Sequence, residues 1–286
     1  MHYLFFTTAL WAFSFSLIGQ YLAGQVDAWF AVWLRVVLAA AVFLPFIKPV
    51  TKTLGVKLAS IGAIQLGLMY CFYYQSFLFL SVPEVLLFTV MTPVYITVLN
   101  DILDQQFKPR YLVAALLAVA GAIAIRYNNI SDDYLTGLLM VQGANLCFAI
   151  GQLSYKRLIN QAPTPISQLN AFPWFYLGAI VPTTLGLMAF GDLDKLPSTD
   201  LQWGVLIYLG TIASGLGYYL WNKGATLVNT GTLATANNLL IPAGLIVNLV
   251  IWDKSSDLVK LSLGGLLIVA AMWIAQGARE TRKTKA

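Results

Sequence analysis

The chain has 286 residues, of which 59% are hydrophobic and 10% charged, with a formal net charge of +5. Soluble domains carry roughly 25% charged residues, so a water-soluble fold is excluded, and lipid is the solvent that fits. Nucleic-acid binding is excluded as well, because the basic residues are scattered through short loops between apolar runs instead of forming a patch or stripe.

A helix spanning the bilayer needs about 20 mostly apolar residues. On that measure the sequence predicts an all-α, polytopic membrane protein of ten transmembrane helices, at 3–21, 28–47, 57–80, 82–101, 110–127, 134–156, 168–190, 201–222, 232–252 and 260–278. Strands are not expected. The runs are too long, they lack period-two alternation, and an open sheet cannot satisfy its backbone in lipid. The first apolar run is already of spanning length and leads straight into others, so no cleavable signal peptide is expected.

Basic residues sort by loop. Lys48, Lys52, Lys57, Lys108, Arg110, Lys156, Arg157, Lys223 and the tail residues Arg279, Arg282, Lys283 and Lys285 fall on one side, and Arg126, Lys195, Lys254 and Lys260 on the other. The richer side is read as cytoplasmic. That reading predicts an inner-membrane protein with both termini in the cytoplasm. Asp132, Asp133, Asp192, Asp194 and Asp200 lie on the opposite, outer side. Cys71 and Cys147 fall inside predicted spans and read as buried thiols.

The two halves of the chain echo each other. Ala9 to Ser14 in the first helix can be laid on Ala144 to Ala149 in the sixth, Tyr73-Tyr74 on Tyr218-Tyr219, and Pro93 on Pro242. The predicted units are therefore residues 1–128 and 129–286, each of five helices. Five is odd, so the second unit enters the membrane with opposite orientation. Inverted repeats of this kind are the architecture of many secondary transporters, with substrate bound near the midplane between the halves.

Leu10-Trp11-Ala12-Phe13-Ser14, Leu34-Arg35-Val36 and the segments around Pro93 and Pro242 resemble the drug/metabolite transporter superfamily of the EamA type over nearly the whole chain. Within it, Tyr21-Leu22-Ala23-Gly24, Leu86 to Val90, Ile125-Arg126-Tyr127, Tyr155 to Leu158, Trp174 to Gly178 and Asn237-Asn238 with Pro242-Ala243-Gly244 resemble the YigM-type biotin transporters of bacteria. Lys223, in a Trp-Asn-x-Gly stretch, departs from that pattern and is given no binding role. The resemblance implies uptake of biotin by a single protein without a cofactor. The partners it implies are a small-molecule substrate and membrane lipids.

Biotin has a carboxylate tail, an apolar bicycle and a ureido group with two N–H donors and one carbonyl. A matching site needs a few polar partners, an aromatic wall and a cation. Arg35, two turns into the second helix, costs ~2.5–3.5 kcal/mol on insertion scales and must face protein or water. It reads as a carboxylate anchor, as one half of a structural ion pair with Glu84, or as a gate formed by that same pair with Glu84 carrying a proton. Asn237 and Asn238 lie about 10 Å into the ninth helix beside Pro242, which leaves backbone carbonyls unpaired. They are candidates for the ureido group or for interhelical bonding, and adjacent positions point apart, so at most one is expected to face a central cavity. Gln142 and Asn145 form a polar strip on the sixth helix. Trp11, Tyr70, Tyr74, Tyr95, Trp174 and Tyr218 are aromatic candidates, with Trp11 and Trp174 placed deep enough to stack on the bicycle. Trp29, Trp203 and Trp252 read as interfacial belts.

No glycine cluster follows a strand to cradle phosphate, and His2 is the sole histidine. Neither ATP hydrolysis nor metal chemistry is expected. A membrane enzyme would need His, Asp or Glu clustered across helices. The remaining alternatives are an EamA-type carrier of another metabolite (an amino acid, a carboxylate or an S-adenosyl compound) and a channel or scaffold.

Overall fold

The computed structural model describes residues 1–80, 82–107, 109–125, 134–252, 263, 266, 267, 269–271, 273 and 274. Among the described residues the chain is helical throughout, without a strand. Helices α1 (His2–Leu22), α2 (Ala28–Phe46) and α3 (Lys52–Ser76) come first. Helix α4 is made of Val82–Phe88 and Thr92–Asp104, joined by a 3₁₀ turn at Thr89–Met91. Helix α5 is Pro109–Ile125 and α6 is Tyr134–Asn160. Helices α7 (Gln168–Phe190) and α8 (Asp200–Thr226) follow. Helix α9 runs as two segments, Thr230–Asn237 and Leu240–Trp252. Among the described residues, seven helices are long and apolar enough to cross a membrane. Most of the tenth expected helix, Lys108, Arg126, Lys254, Lys260 and the basic tail lie outside the described residues, as do Asp132 and Asp133.

The ends are set by local chemistry. Asp27 accepts from the Phe30 amide at 2.7 Å, and Thr51, Thr199 and Asn229 cap α3, α8 and α9 in the same way. Such caps satisfy amides that have no intrahelical partner. The Thr51 cap starts α3 at Lys52, five residues before the expected position. Helix α4 ends where Gln105 turns left-handed at φ 50°.

Among the described residues, three helices widen into π turns, at Ile18–Leu22 in α1, Ala63–Leu68 in α3 and Leu209–Leu216 in α8. A π turn misaligns the backbone ladder and frees carbonyls, and such turns are frequent at functional sites. Those of α3 and α8 fall in helices matched by the sequence repeat. So do the breaks of α4 and α9, just before Pro93 and Pro242.

Helix α1 packs against α8 and α9, and α6 packs against α3 and α4. Helix α2 packs against α7 and α8, and α7 against α2 and α3. Small residues allow the closest of these approaches. A Cβ at Gly62 would lie 1.8 Å from the Phe175 carbonyl oxygen, and one at Gly178 would lie 1.9 Å from that of Ala59.

The connections gather at two faces. At one, the Asp27 amide donates to the Lys195 carbonyl (2.8 Å), and Gln202 reaches the Tyr21 carbonyl (3.3 Å). At the other, Arg157 pairs with Asp104, Asn160 reaches the Thr226 carbonyl, and the Lys156 ammonium donates to the carbonyls of Ala225 and Val228. A cation over the last carbonyls of α8 complements the helix dipole. The outward surface is apolar, with Met188 80% exposed and Phe107 70%, as suits contact with lipid. Cys71 and Cys147 are free thiols.

Candidate functional site

A cavity of about 100 Å³ lies among α1, α2, α3, α4, α6, α8 and α9. Three surfaces define it: an aromatic cage, a buried guanidinium and two amide side chains.

The cage is built around Trp11. Its ring centroid lies 5.0 Å from Trp221, 5.1 Å from Tyr218 and 5.9 Å from Phe148. Tilted and edge-on ring pairs at these separations are favourable beyond their buried area. Trp11 is held by its indole N–H, which donates to the Ala213 carbonyl at 2.8 Å. That carbonyl belongs to the π turn of α8. The next two carbonyls of the turn, Ser214 and Gly215, accept from the Tyr176 hydroxyl at 3.0 and 2.6 Å.

Arg35 is 2% exposed and lines the cavity. Its Nε donates to Ser214 Oγ at 3.2 Å and its Nη2 donates to Ser214 Oγ at 2.9 Å and to Tyr70 Oη at 2.8 Å. Its Nη1 donates to Tyr74 Oη. The guanidinium also lies over the Tyr70 ring, 4.5 Å from the centroid, a cation–π arrangement strengthened by desolvation. Every partner is neutral. A buried cation ordinarily needs an opposite charge, and among the described residues no carboxylate bonds this one. The expected Arg35–Glu84 pair does not form. Glu84 is buried in the first turn of α4, but the face of α2 that carries Arg35 is turned to α3 and α8.

The third surface consists of Asn145 and Asn237. The Asn145 amide nitrogen donates to the Phe88 carbonyl at 2.9 Å, and that of Asn237 to the Leu233 carbonyl at 2.7 Å. These bonds fix the orientation of both amides, because only nitrogen can donate to a carbonyl. Neither carbonyl oxygen has a hydrogen-bond partner among the described residues, and both residues line the cavity.

Four expected site residues lie elsewhere. Gln142 donates to the Phe88 carbonyl at 3.2 Å and accepts from the Tyr95 hydroxyl at 3.1 Å. Asn238 donates to the Val90 carbonyl at 3.2 Å. Phe88 and Val90 flank and enter the 3₁₀ turn of α4, so Gln142, Tyr95 and Asn238 serve to satisfy a broken helix. Trp174, expected deep in the membrane, instead donates to the Lys48 carbonyl at 3.1 Å in the α2–α3 connection. Tyr74 reaches the site through Arg35 and is not part of the cavity wall. Trp11, Arg35, Tyr70, Asn145 and Asn237 do come together there.

Ser214, Tyr73, Phe148 and Trp221 were not anticipated. The sequence signal for Tyr73 was its pairing with Tyr218 in the repeat. Ser214 carries no signal of its own, since its role depends on α2 meeting α8. Among the described residues no three His, Cys, Asp or Glu side chains cluster to hold a metal.

An EamA-like transporter family model matches residues 1–127 and 135–276. The chain belongs to the EamA-like transporter family. It is 49% identical to a probable biotin transporter of Pseudomonas aeruginosa, over 99% of this chain and all of that one. It is likewise 49% identical to the biotin transporter of Escherichia coli K12, over 96% of this chain and 92% of the relative. A Salmonella typhimurium protein described as a probable amino-acid metabolite efflux pump is 20% identical over 64% of this chain. A solved crystal structure superposes with a TM-score of 0.75 over 96% of this chain and 95% of that chain, at 16% identity, so the two chains share a fold. This EamA-family chain is a multi-pass membrane transporter and not an enzyme.

Proposed function

We propose that the chain imports biotin across the bacterial inner membrane by alternating access. The observation that carries this reading is Arg35: a buried guanidinium on the cavity wall whose partners are all neutral hydroxyls. An anionic ligand completes such a site, and the fork of donors suits a carboxylate. The aromatic cage accepts the apolar bicycle. The carbonyl oxygens of Asn145 and Asn237 offer two acceptors for the two ureido N–H groups. The full-length relatives at 49% identity, named as biotin transporters, support the same substrate.

The architecture that goes with this reading is ten helices in a 5+5 inverted repeat, residues 1–128 and 129–286. It is supported by the matched π turns of α3 and α8, by the matched breaks of α4 and α9, and by the exchange of partners between α1 and α6. In this arrangement both termini are cytoplasmic, the α6–α7 connection faces the cytoplasm and the α7–α8 connection faces outward. Transport is secondary or driven by the membrane potential.

Growth rescue tests the substrate. The gene is placed in a biotin-synthesis mutant that lacks its own transporter. Growth on nanomolar biotin is expected. Failure to grow, with the protein present in the membrane, would move the assignment to another metabolite carried by this family.

A further inference from the structure

Helix α3 brings three phenols to the cavity region within little more than one turn. Two are committed: the hydroxyls of Tyr70 and Tyr74 accept from Arg35. The third, Tyr73, lines the same cavity as Arg35 and is 8% exposed. Its hydroxyl is buried and has no hydrogen-bond partner among the described residues. The ring is held edge-on by Phe15 at 5.4 Å, Phe77 at 5.0 Å and Tyr74 at 6.2 Å. Leaving a buried hydroxyl unpaired costs about 1–3 kcal/mol, which phenylalanine would avoid. Nothing in the packing of the ring requires the oxygen.

An unspent donor thus stands on α3 within one helical turn of the two phenols that hold an uncompensated cation, and it lines the same cavity as that cation. A carboxylate satisfies both, because its two oxygens accept from different directions. We propose that Tyr73 is a substrate-binding residue that donates its hydroxyl to the carboxylate held by Arg35. The proposal rests on the biotin reading for the identity of the acid. It makes Tyr73 a determinant of specificity for anionic over neutral ligands, since only a bound acid relieves both groups at once.

The test is Tyr73→Phe in the purified full-length chain. Two probes are used: biotin, and a biotin analogue with a methyl group in place of the carboxylate. The variant is expected to bind biotin about tenfold or more weakly than wild type, because the lost bond is to a charged acceptor. The methyl analogue is expected to bind both proteins equally, to within about twofold. The unfolding midpoint of the ligand-free variant is expected not to fall, which separates a binding role from a packing role. A variant that keeps its biotin affinity, or one that loses both ligands alike, overturns the assignment of Tyr73 while leaving the biotin reading in place. Wild-type protein that does not bind biotin at all overturns both.

Discussion

The indole N–H of Trp11 donates to the carbonyl of Ala213, 202 residues away, at 2.8 Å. The bond joins the middle of α1 to the π turn of α8, so the same side chain that forms the centre of the aromatic cage also donates to a carbonyl of that turn. Trp11→Phe keeps an aromatic wall but leaves that carbonyl without its donor. The expected cost is about 1–3 kcal/mol of stability, read as a lower unfolding midpoint in detergent, together with weaker biotin binding. An unchanged midpoint would mean that water replaces the indole there.

Arg35 calls for the opposite pattern. Its partners are two phenols and Ser214, and the Tyr70 hydroxyl and Ser214 Oγ already lie 2.8 Å apart, so they can satisfy each other without it. Removing the charge strands no carboxylate. Arg35→Gln is therefore expected to fold and insert normally, with biotin uptake reduced about tenfold or more by the loss of charge-assisted bonds. Arg35→Lys keeps the charge and loses the fork, and is expected to fall between the two. Retained uptake in Arg35→Gln, measured with radiolabelled biotin in whole cells, would remove the anchor role.

What was legible in the sequence follows from these contacts. Apolar runs of spanning length gave the helices, because lipid leaves the backbone few other solutions. Arg35 stood out for the cost of a charge in a span, and Trp11 and Asn237 for their depth. Polarity alone did not separate Asn145, which faces the cavity, from Gln142, which bonds the same Phe88 carbonyl one turn away. Both are amides on one helix face, and only the position of the α4 break decides between them. Glu84 was matched to Arg35 by depth and charge, but pairing also needs the right helix face. Ser214 was invisible because its neighbours, small and apolar, gave no reason to expect α2 so close: a Cβ added to Gly210, one turn before it, would lie 3.3 Å from the Arg35 Cα.

The α3–α7 contact is expected to be intolerant of even one methyl group. Gly62 and Gly178 face each other's helices with backbone carbonyls, not flexible side chains, within 2 Å of the added carbon. Without a hydrophobic effect between helices in lipid, such close packing is a main source of association. Gly178→Ala is expected to cost about 1–3 kcal/mol, the usual range for overpacking, and to lower the monodisperse yield after detergent extraction. Gly204, on α8, has open space around its Cβ position, and Gly204→Ala serves as the control expected to change neither.

Topology gives the last prediction. The α7–α8 connection contains Asp194, and the α6–α7 connection contains Gln161. The fold sets these two connections at opposite faces, the first bonded to the α1–α2 turn through Lys195 and Asp27, the second beside the Arg157–Asp104 pair. If the richer set of basic residues marks the cytoplasm, Asp194→Cys is labelled by a membrane-impermeant maleimide in intact cells, and Gln161→Cys only after permeabilisation. Cys71→Ala and Cys147→Ala remove the native thiols from the background. Both thiols are only partly buried and neither lines the cavity, so transport is expected to survive their loss. The reverse labelling order would invert the whole protein in the membrane without altering one contact of the fold, and would place the α1–α2 and α7–α8 turns in the cytoplasm.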